Sequence, residues 1–512
     1  MIRTVEQYLE SLRDGRVIYN LGERVKDVTA HPVLRRIVMN GAVDWMLAND
    51  PKRRDLFVTK NEEGEEINFL WTQPKNSEDL LRKREAYIEG TRFHGMGLHS
   101  MGVDALAASR VLAGRLDAKL GTNYTERVEA YRKYIQKNDL GITGAQTDAK
   151  GDRHLHPSQQ VQHKDFYVRV VDKKKDGIIV RGAKYHISFT PPANEAIVLP
   201  CRTHQEQDQD YAVVFATPLN AKGITLISAE PEISAPTNEI TEWDYPLASR
   251  SGVGDGECLI VFDDVFVPWE RVFMCGEWQF SRDIAYLFGT FHRLFACCRM
   301  VQLLETLTGV AALMAEYNGL ESYPHIRNKL AGLIEITESF KTMSKAACMF
   351  PEMEPGTDIA NPHGLYTNIA KYIYAENFHE ATKLAQDICG GIAADPISYR
   401  DWSNPEERPF IEKYLGGKAG IPTEHRLRAI RLLTDITSGR HDTHQIHAEG
   451  SLAAQQMMFY IDADWEMYKA VAKRIAGIPG WEKDPYTGSL PDYASQIAAK
   501  MPPVDTSYKI YK

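Results

Sequence analysis

Apolar and polar residues alternate with a three-to-four-residue period through the first 140 positions. Val103-Asp-Ala-Leu-Ala-Ala-Ser-Arg-Val-Leu and Tyr124-Thr-Glu-Arg-Val-Glu-Ala-Tyr-Arg-Lys-Tyr-Ile repeat their apolar side chains at helical spacing, and Leu80-Leu-Arg-Lys-Arg-Glu-Ala-Tyr-Ile is rich in helix formers. Near residue 141 the period changes. Phe166-Tyr-Val-Arg-Val-Val, a Lys-Asp-Gly turn and Ile178-Ile-Val-Arg-Gly-Ala-Lys-Tyr-His-Ile predict a β-hairpin. Short apolar runs at 195–201, 211–216 and 258–262 predict further strands. The stretch Phe262-Asp-Asp-Val-Phe-Val-Pro-Trp-Glu-Arg predicts a strand that leaves the sheet as an extended connection. From about 281 the helical period returns. Leu303, Leu304, Leu307, Val310, Ala311 and Met314 trace one face, and similar stretches lie near 324–349, 363–389 and 424–475. The pattern thus predicts an α+β chain of three domains: helical at 1–140, β at 141–280, and at 281–512 a four-helix bundle ending in an extended tail from Met501.

Composition narrows the function. A net charge of −9 and a pI near 6.0 over 512 residues argue against a nucleic-acid partner, and the basic run Lys173-Lys-Lys175 reads as a solvated turn. The N-terminus has no apolar signal core, and no run approaches the roughly 18 apolar residues of a membrane span, so no membrane association is expected. Seven cysteines form no Cys-x-x-Cys motif, which points to reduced thiols and a cytoplasmic address. His292 lies five and six residues ahead of Cys297 and Cys298. At roughly 100° per residue those thiols are turned about 140° and 120° away from it, so a regular helix cannot aim the three at one metal. The His441, His444, His447 ladder has no carboxylate, and no metal centre is expected.

Particular segments carry a resemblance. Glu6-Gln-Tyr-Leu-Glu-Ser-Leu-Arg-Asp-Gly-Arg and Gly22-Glu-Arg-Val-Lys-Asp-Val-Thr-Ala-His-Pro resemble the N-terminus of the 4-hydroxyphenylacetate 3-hydroxylase family, and Ser438-Gly-Arg-His441 resembles a later segment of the same hydroxylase branch. Thr147-Asp-Ala-Lys-Gly-Asp-Arg153, Asp176-Gly-Ile-Ile-Val-Arg-Gly-Ala-Lys184 and Ala472-Lys-Arg-Ile-Ala-Gly-Ile resemble its sister branch, 4-hydroxybutyryl-CoA dehydratase. The resemblance implies an acyl-CoA dehydrogenase-like fold, with FAD between β domain and bundle, and a homotetramer built as a dimer of dimers.

For the dehydratase branch it implies a flavin beside a [4Fe–4S] cluster held by three cysteines and a histidine. His292 matches that histidine, but Met96, Ser100 and Arg299 stand where the thiolates would fall, so no iron–sulfur cluster is expected. Glu257 matches a carboxylate that branch uses near its substrate, whereas Ala296, Met300 and His444 replace a Tyr, a Lys and a Glu. For the hydroxylase branch it implies reduced FAD from a separate flavin reductase, used with O2 to hydroxylate a phenol. That branch grips its substrate with an Arg and a Tyr in the segment matching 96–104 and a His before the 147–153 loop. Here the segment has neither, and Gly144 stands about where the His would be. His94 or His99 could replace the lost groups, with positive charge from Arg293 or Arg299.

The resemblance assigns the cofactor to Gln146, Thr147, Lys150 and Arg153 at the isoalloxazine or ribityl chain, with Ser188 and Thr190 against the flavin. Gly390 and Gly391 approach its adenine end, and Ser438, Gly439, Arg440 and His441 offer a pyrophosphate or substrate-anion contact. The expectation is a two-component FAD-dependent monooxygenase for an aromatic or phenol-like small molecule, with His292, Arg293, His99 and Arg299 as catalytic candidates. The alternatives are a cluster-free acyl-CoA dehydratase or isomerase, and a flavin-binding subunit that has lost catalysis.

Overall fold

The computed structural model describes residues 2–92, 98–229, 241–243, 256–438, 444–485 and 493–507. Residues up to Phe459 form one compact unit and Tyr460–Lys512 a second.

Five longer helices open the chain: Val5–Ser11, Leu34–Asn49, Ser77–Arg92, Leu98–Leu120 and Tyr124–Asn138. Thr4 starts the first with a reciprocal cap to Gln7. The Leu98–Leu120 helix is apolar almost all round, and a helix of that kind has to be buried. It lies against the Ser281–Tyr317 helix and the Ile142–Ala145 strand. Gly102 permits that approach, because a Cβ there would sit 2.5 Å from Cβ of Ile142.

Two sheets follow. The larger runs in the order Glu23–Val25, Ile18–Asn20, Ile224–Ser228, Cys258–Pro268, Gly177–Ile187, Arg169–Lys173, and the smaller in the order Val272–Cys275, Val213–Pro218, Glu195–Val198, Ile142–Ala145. The hairpin pairs Val170 with Val180 and Lys173 with Ile178. Two expectations are corrected. Residues 18–25, inside the stretch read as helical, supply two strands of the larger sheet, with Ile18 parallel to Leu226. The 258–268 strand does not leave the sheet: it stays paired to Pro268, opposite Gly177, by absorbing a bulge between Phe262 and Val265. Asp264 takes a left-handed φ of 53° there and binds Arg181 through both carboxylate oxygens.

The bundle consists of Ser281–Tyr317, Pro324–Met349, Gly364–Cys389 and Thr423–Thr437. The first is long and apolar enough to pass for a membrane span, but 72% of its apolar window is buried, as befits a bundle's core helix. The predicted 424–475 helix is interrupted. Ser438 is extended (φ −134°, ψ 166°), and Glu449 (φ 56°) and Gly450 (φ 108°) hold a left-handed turn before Leu452–Asp462. In the second unit Asp464 caps the Trp465–Ile475 helix, and Arg474 pairs with Asp484.

Candidate active site

The bundle's core helix sets His292 against the 98–120 helix. Its Nδ1 lies 3.0 Å from Oδ2 of Asp104, and its ring stacks between Phe288 and Phe295 at centroid distances of 5.0 and 5.9 Å. Burial pushes the Asp104 carboxyl above the usual carboxylate range, and the bond to His292 opposes that rise. Gly144 lies beside this ring stack: a Cβ on it would come within 3.1 Å of Phe288 and 3.2 Å of the Met101 carbonyl. A histidine would not fit there without movement.

Deeper in the bundle, Arg293 donates from Nη1 to Asn368 Oδ1 (2.5 Å) and from Nε to the Glu449 carbonyl (3.0 Å). Arg299 is buried nearby. Burial works against ionisation of Glu449, yet Arg299, Lys371, His292 and His444 together hold its carboxyl below the usual range. Lys371 is fully buried, and burial lowers its pKa. His444 Nδ1 stands 3.5 Å from Oε1 of Glu257. The result is a run of ionisable groups from Asp104 through His292 to Glu449 and Lys371.

The β domain presents two facing segments. In 146–151 and 184–190, Lys184 is buried, paired with Asp148 at 2.7 Å and donating to the Gln146 and Leu199 carbonyls at 2.8 Å. The Tyr185 amide bonds the Thr147 carbonyl, and Thr143 Oγ1 donates to the Ser188 carbonyl. Lys150 (φ 76°), Gly151 (56°), His186 (59°) and Phe189 (55°) are all left-handed. Strain of that kind in non-glycine residues collects where a ligand is held. Burial lowers the His186 pKa, and the charges of Lys150 and His444 lower it further, so these segments face the turn that carries His444.

Two family models cover most of the chain: 4-hydroxyphenylacetate 3-hydroxylase N terminal over residues 4–274 and C terminal over 281–477. The chain belongs to the 4-hydroxyphenylacetate 3-hydroxylase family. It is 33% identical over 495 residues to a 4-hydroxybutyryl-CoA dehydratase/vinylacetyl-CoA-Δ-isomerase of Clostridium aminobutyricum, covering 93% of this chain and 100% of the relative. It is 32% identical over 446 residues to the oxygenase component of 4-hydroxyphenylacetate 3-monooxygenase of Thermus thermophilus, covering 85% and 89%. The crystal structure of such an oxygenase component, complexed with FAD and 4-hydroxyphenylacetate, superimposes with a TM-score of 0.81 at 29% identity, covering 93% and 98% of the two chains. The family's fold is acyl-CoA dehydrogenase-like.

Within this hydroxylase-family chain the residues singled out by sequence fall into three groups. His292, Arg293 and Arg299 come together at the site. Gln146, Thr147, Lys150, Arg153 and Ser188 lie in or beside the strained segments, with Arg153 exposed. The others need correction or fall outside the description. His99 is fully buried, with Asp44 3.2 Å from Nδ1 and Asp139 3.0 Å from Nε2. Both ring nitrogens are taken, so it braces the N-terminal helices and offers nothing to a substrate. Thr190 is fully buried and donates to the Ile187 carbonyl, closing its own turn. Gly390 and Gly391 are exposed at a helix C-terminus where Gly390 is the C-cap, and among the described residues nothing comes within 4 Å of either added Cβ, so the turn borders open space. Ser438 Oγ donates back to the Thr434 carbonyl of its own helix. His94, Met96, Gly439, Arg440 and His441 lie outside the described residues.

The donor set does not fit an iron–sulfur cluster. Ser100 and Arg299 are not thiolates, and Cys297 and Cys298 are fully buried in the bundle. Burial pushes the Cys297 thiol up to about 12 and that of Cys298 well above its ordinary value. Sequence reasoning missed Asp104, Lys371 and Glu449. The available signal was a lysine interrupting the helix face of Asn368, Lys371 and Tyr374, which otherwise points inward.

Proposed function

We propose that this chain is the oxygenase component of a two-component flavin-dependent monooxygenase acting on an aromatic or phenol-like molecule. The observation that carries the reading is the His292–Asp104 dyad. Asp104 holds Nδ1, which leaves Nε2 as the nitrogen that can accept a proton. FAD fits the β-domain segments: the Gln146 amide, the Thr147 and Ser188 hydroxyls and the Lys150 and Arg153 cations suit its isoalloxazine and ribityl oxygens, and the strained turns let backbone come close. When bound in its reduced form, FAD supplies the electrons that split O2 between product and water. A separate flavin reductase is its source.

The residues of the chain do the rest. His292 Nε2 takes the phenol proton, and Asp104 stabilises the imidazolium that forms. Arg293 and Arg299 add positive charge that favours the phenolate, whose electron density activates the neighbouring ring carbon. Phe288, Phe295 and the helix faces around them keep water from the site. The reading carries with it a homotetramer, a dimer of dimers, and a cytoplasmic address, supported by the family resemblance and the unpaired cysteines.

A second reading is favoured by Glu257, kept beside His444, and by the dehydratase identity over nearly the whole chain. In it His292 would move a proton on an acyl-CoA thioester without a cluster. One experiment separates the two. The purified protein is given reduced FAD, air and 4-hydroxyphenylacetate as probe, and in parallel vinylacetyl-CoA without air, with products read by mass spectrometry. A gain of one oxygen by the phenol, lost in His292→Asn, supports the monooxygenase. Isomerised thioester with no oxygenated phenol would overturn it.

A further inference from the structure

Beside the dyad lies a further buried cation, Lys83. Lys83 belongs to the Ser77–Arg92 helix, on the face of Leu80 and Tyr87, and is 3% exposed. Its Nζ donates to the Leu70 carbonyl at 2.5 Å and stands 5.5 Å from the Phe69 ring centroid. An ammonium has three donors, and a lysine buried on an apolar helix face is costly unless it serves a charge. The buried charge it faces is Asp104. Lys83 and Asp104 line the same small cavity, walled by Leu80, Tyr87, Phe291 and Leu294, where the 77–92, 98–120 and 281–317 helices meet.

We propose that Lys83 is a positioning residue of the active site: facing Asp104 across this cavity, its ammonium keeps the Asp104 carboxylate ionised and so holds the His292 proton on Nδ1 and Nε2 open. The inference rests on the reading of His292 as the base. The groups that act on Asp104 are His292 from the 281–317 helix, Lys83 from the 77–92 helix and Glu449 from the turn before Gly450. Tyr87 couples to it from the lysine's own helix. Burial and Glu449 both favour protonating Asp104; Lys83 and His292 oppose them. A protonated Asp104 would donate to Nδ1 and force the ring's own proton onto Nε2, the wrong tautomer for a base. Lys83 is itself lowered by burial to about 7, with Asp104 and Asp79 raising it and Arg82 lowering it further.

The test needs no substrate. Diethylpyrocarbonate modifies neutral imidazole, and its rate at His292 can be followed from pH 6 to 9 by peptide mass spectrometry on the full chain. In Lys83→Met the His292 rate near pH 7 falls about tenfold, as for a one-unit shift in the governing equilibrium, and the profile moves to higher pH. Lys83→Arg restores the wild-type profile, which a purely structural role would not do. Asp104→Asn gives a comparable loss, and Lys83→Met/Asp104→Asn loses no more than Asp104→Asn alone. If Lys83→Met does not fold, the Arg and Asn variants still decide: an unchanged profile in Asp104→Asn overturns the proposal. So does an unchanged profile in folded Lys83→Met. The base reading fails separately, if His292→Asn keeps full turnover whatever Lys83 does.

Discussion

The Asp44–His99–Asp139 brace makes a quantitative prediction about stability and pH. His99 is fully enclosed, and burial alone would strip its proton. The charge of Asp139, its hydrogen bond, and the bond and charge of Asp44 more than offset that, and push the imidazole up to about 9 from an unfolded value of 6.5. For a raised pKa the stabilisation is complete below the unfolded value and is lost as pH rises through the folded one. The window is therefore pH 6.5 to 9, and the 2.5-unit difference corresponds to about 3 kcal/mol. Asp139 titrates in the opposite sense. His99 holds its pKa below the usual range against burial, so its contribution is present above about 3.8 and fades only in acid.

The perturbation is His99→Gln, which leaves two buried carboxylates without their cation. At pH 6 it should cost about 3 kcal/mol or more, and the deficit should shrink by about 3 kcal/mol towards pH 10, where the wild type has lost the same charge. Urea unfolding followed by tryptophan fluorescence suits the site, because Trp45 donates to Asp139 at 2.9 Å and Trp71 meets the His99 ring edge-on. A wild-type-minus-variant difference that stays flat from pH 6 to 10 would refute the imidazolium reading of the brace.

Three further outcomes follow from packing and burial. Gly102→Ala pushes a methyl group against Cβ and the backbone carbonyl of Ile142, and overpacking there should cost about 1–3 kcal/mol, seen as a lower melting temperature. Arg271→Met removes the partner of buried Glu195, which Arg271 grips at 2.6 and 3.2 Å alongside the Tyr131 hydroxyl. Denaturant midpoints should report a loss of about 3 kcal/mol, while Arg271→Met/Glu195→Gln restores much of it. Lys371→Met takes a countercharge away from buried Glu449, whose carboxyl Lys371 helps to hold below the usual range, and calorimetry should find a lower melting temperature that Lys371→Met/Glu449→Gln partly recovers.

How much of this was legible depended on how far apart the partners lie in the chain. The 98–120 helix and the 169–187 hairpin are written in local periodicity, and the structure has them close to where the pattern puts them. Ile18–Asn20 is only three residues long and pairs with a strand some 200 positions away, so no local period marks it. The same limit governs the site. His292 stands out by its match to a family position, but its partner Asp104 lies 188 residues earlier in an alanine-rich helix that reads simply as core. His99 shows the converse. A lone histidine near a predicted pocket invites a catalytic role, and only the meeting of three helices reveals that both nitrogens are occupied. The 424–475 stretch kept a helical period across a break because the period records which side is apolar, not whether the backbone between is helical.

The parallel pairing of Ile18 with Leu226 also governs the order of events during synthesis. The two N-terminal strands leave the ribosome long before the strand they join exists. At 5 to 20 residues per second the interval is on the order of 10 to 40 seconds. Through that time the start of the chain must stay unaggregated and within reach, so the larger sheet cannot be completed outward from the N-terminus. Its hairpin at 169–187 can form first, and residues 18–25 join late, which makes them one of the last parts of the β domain to find a place.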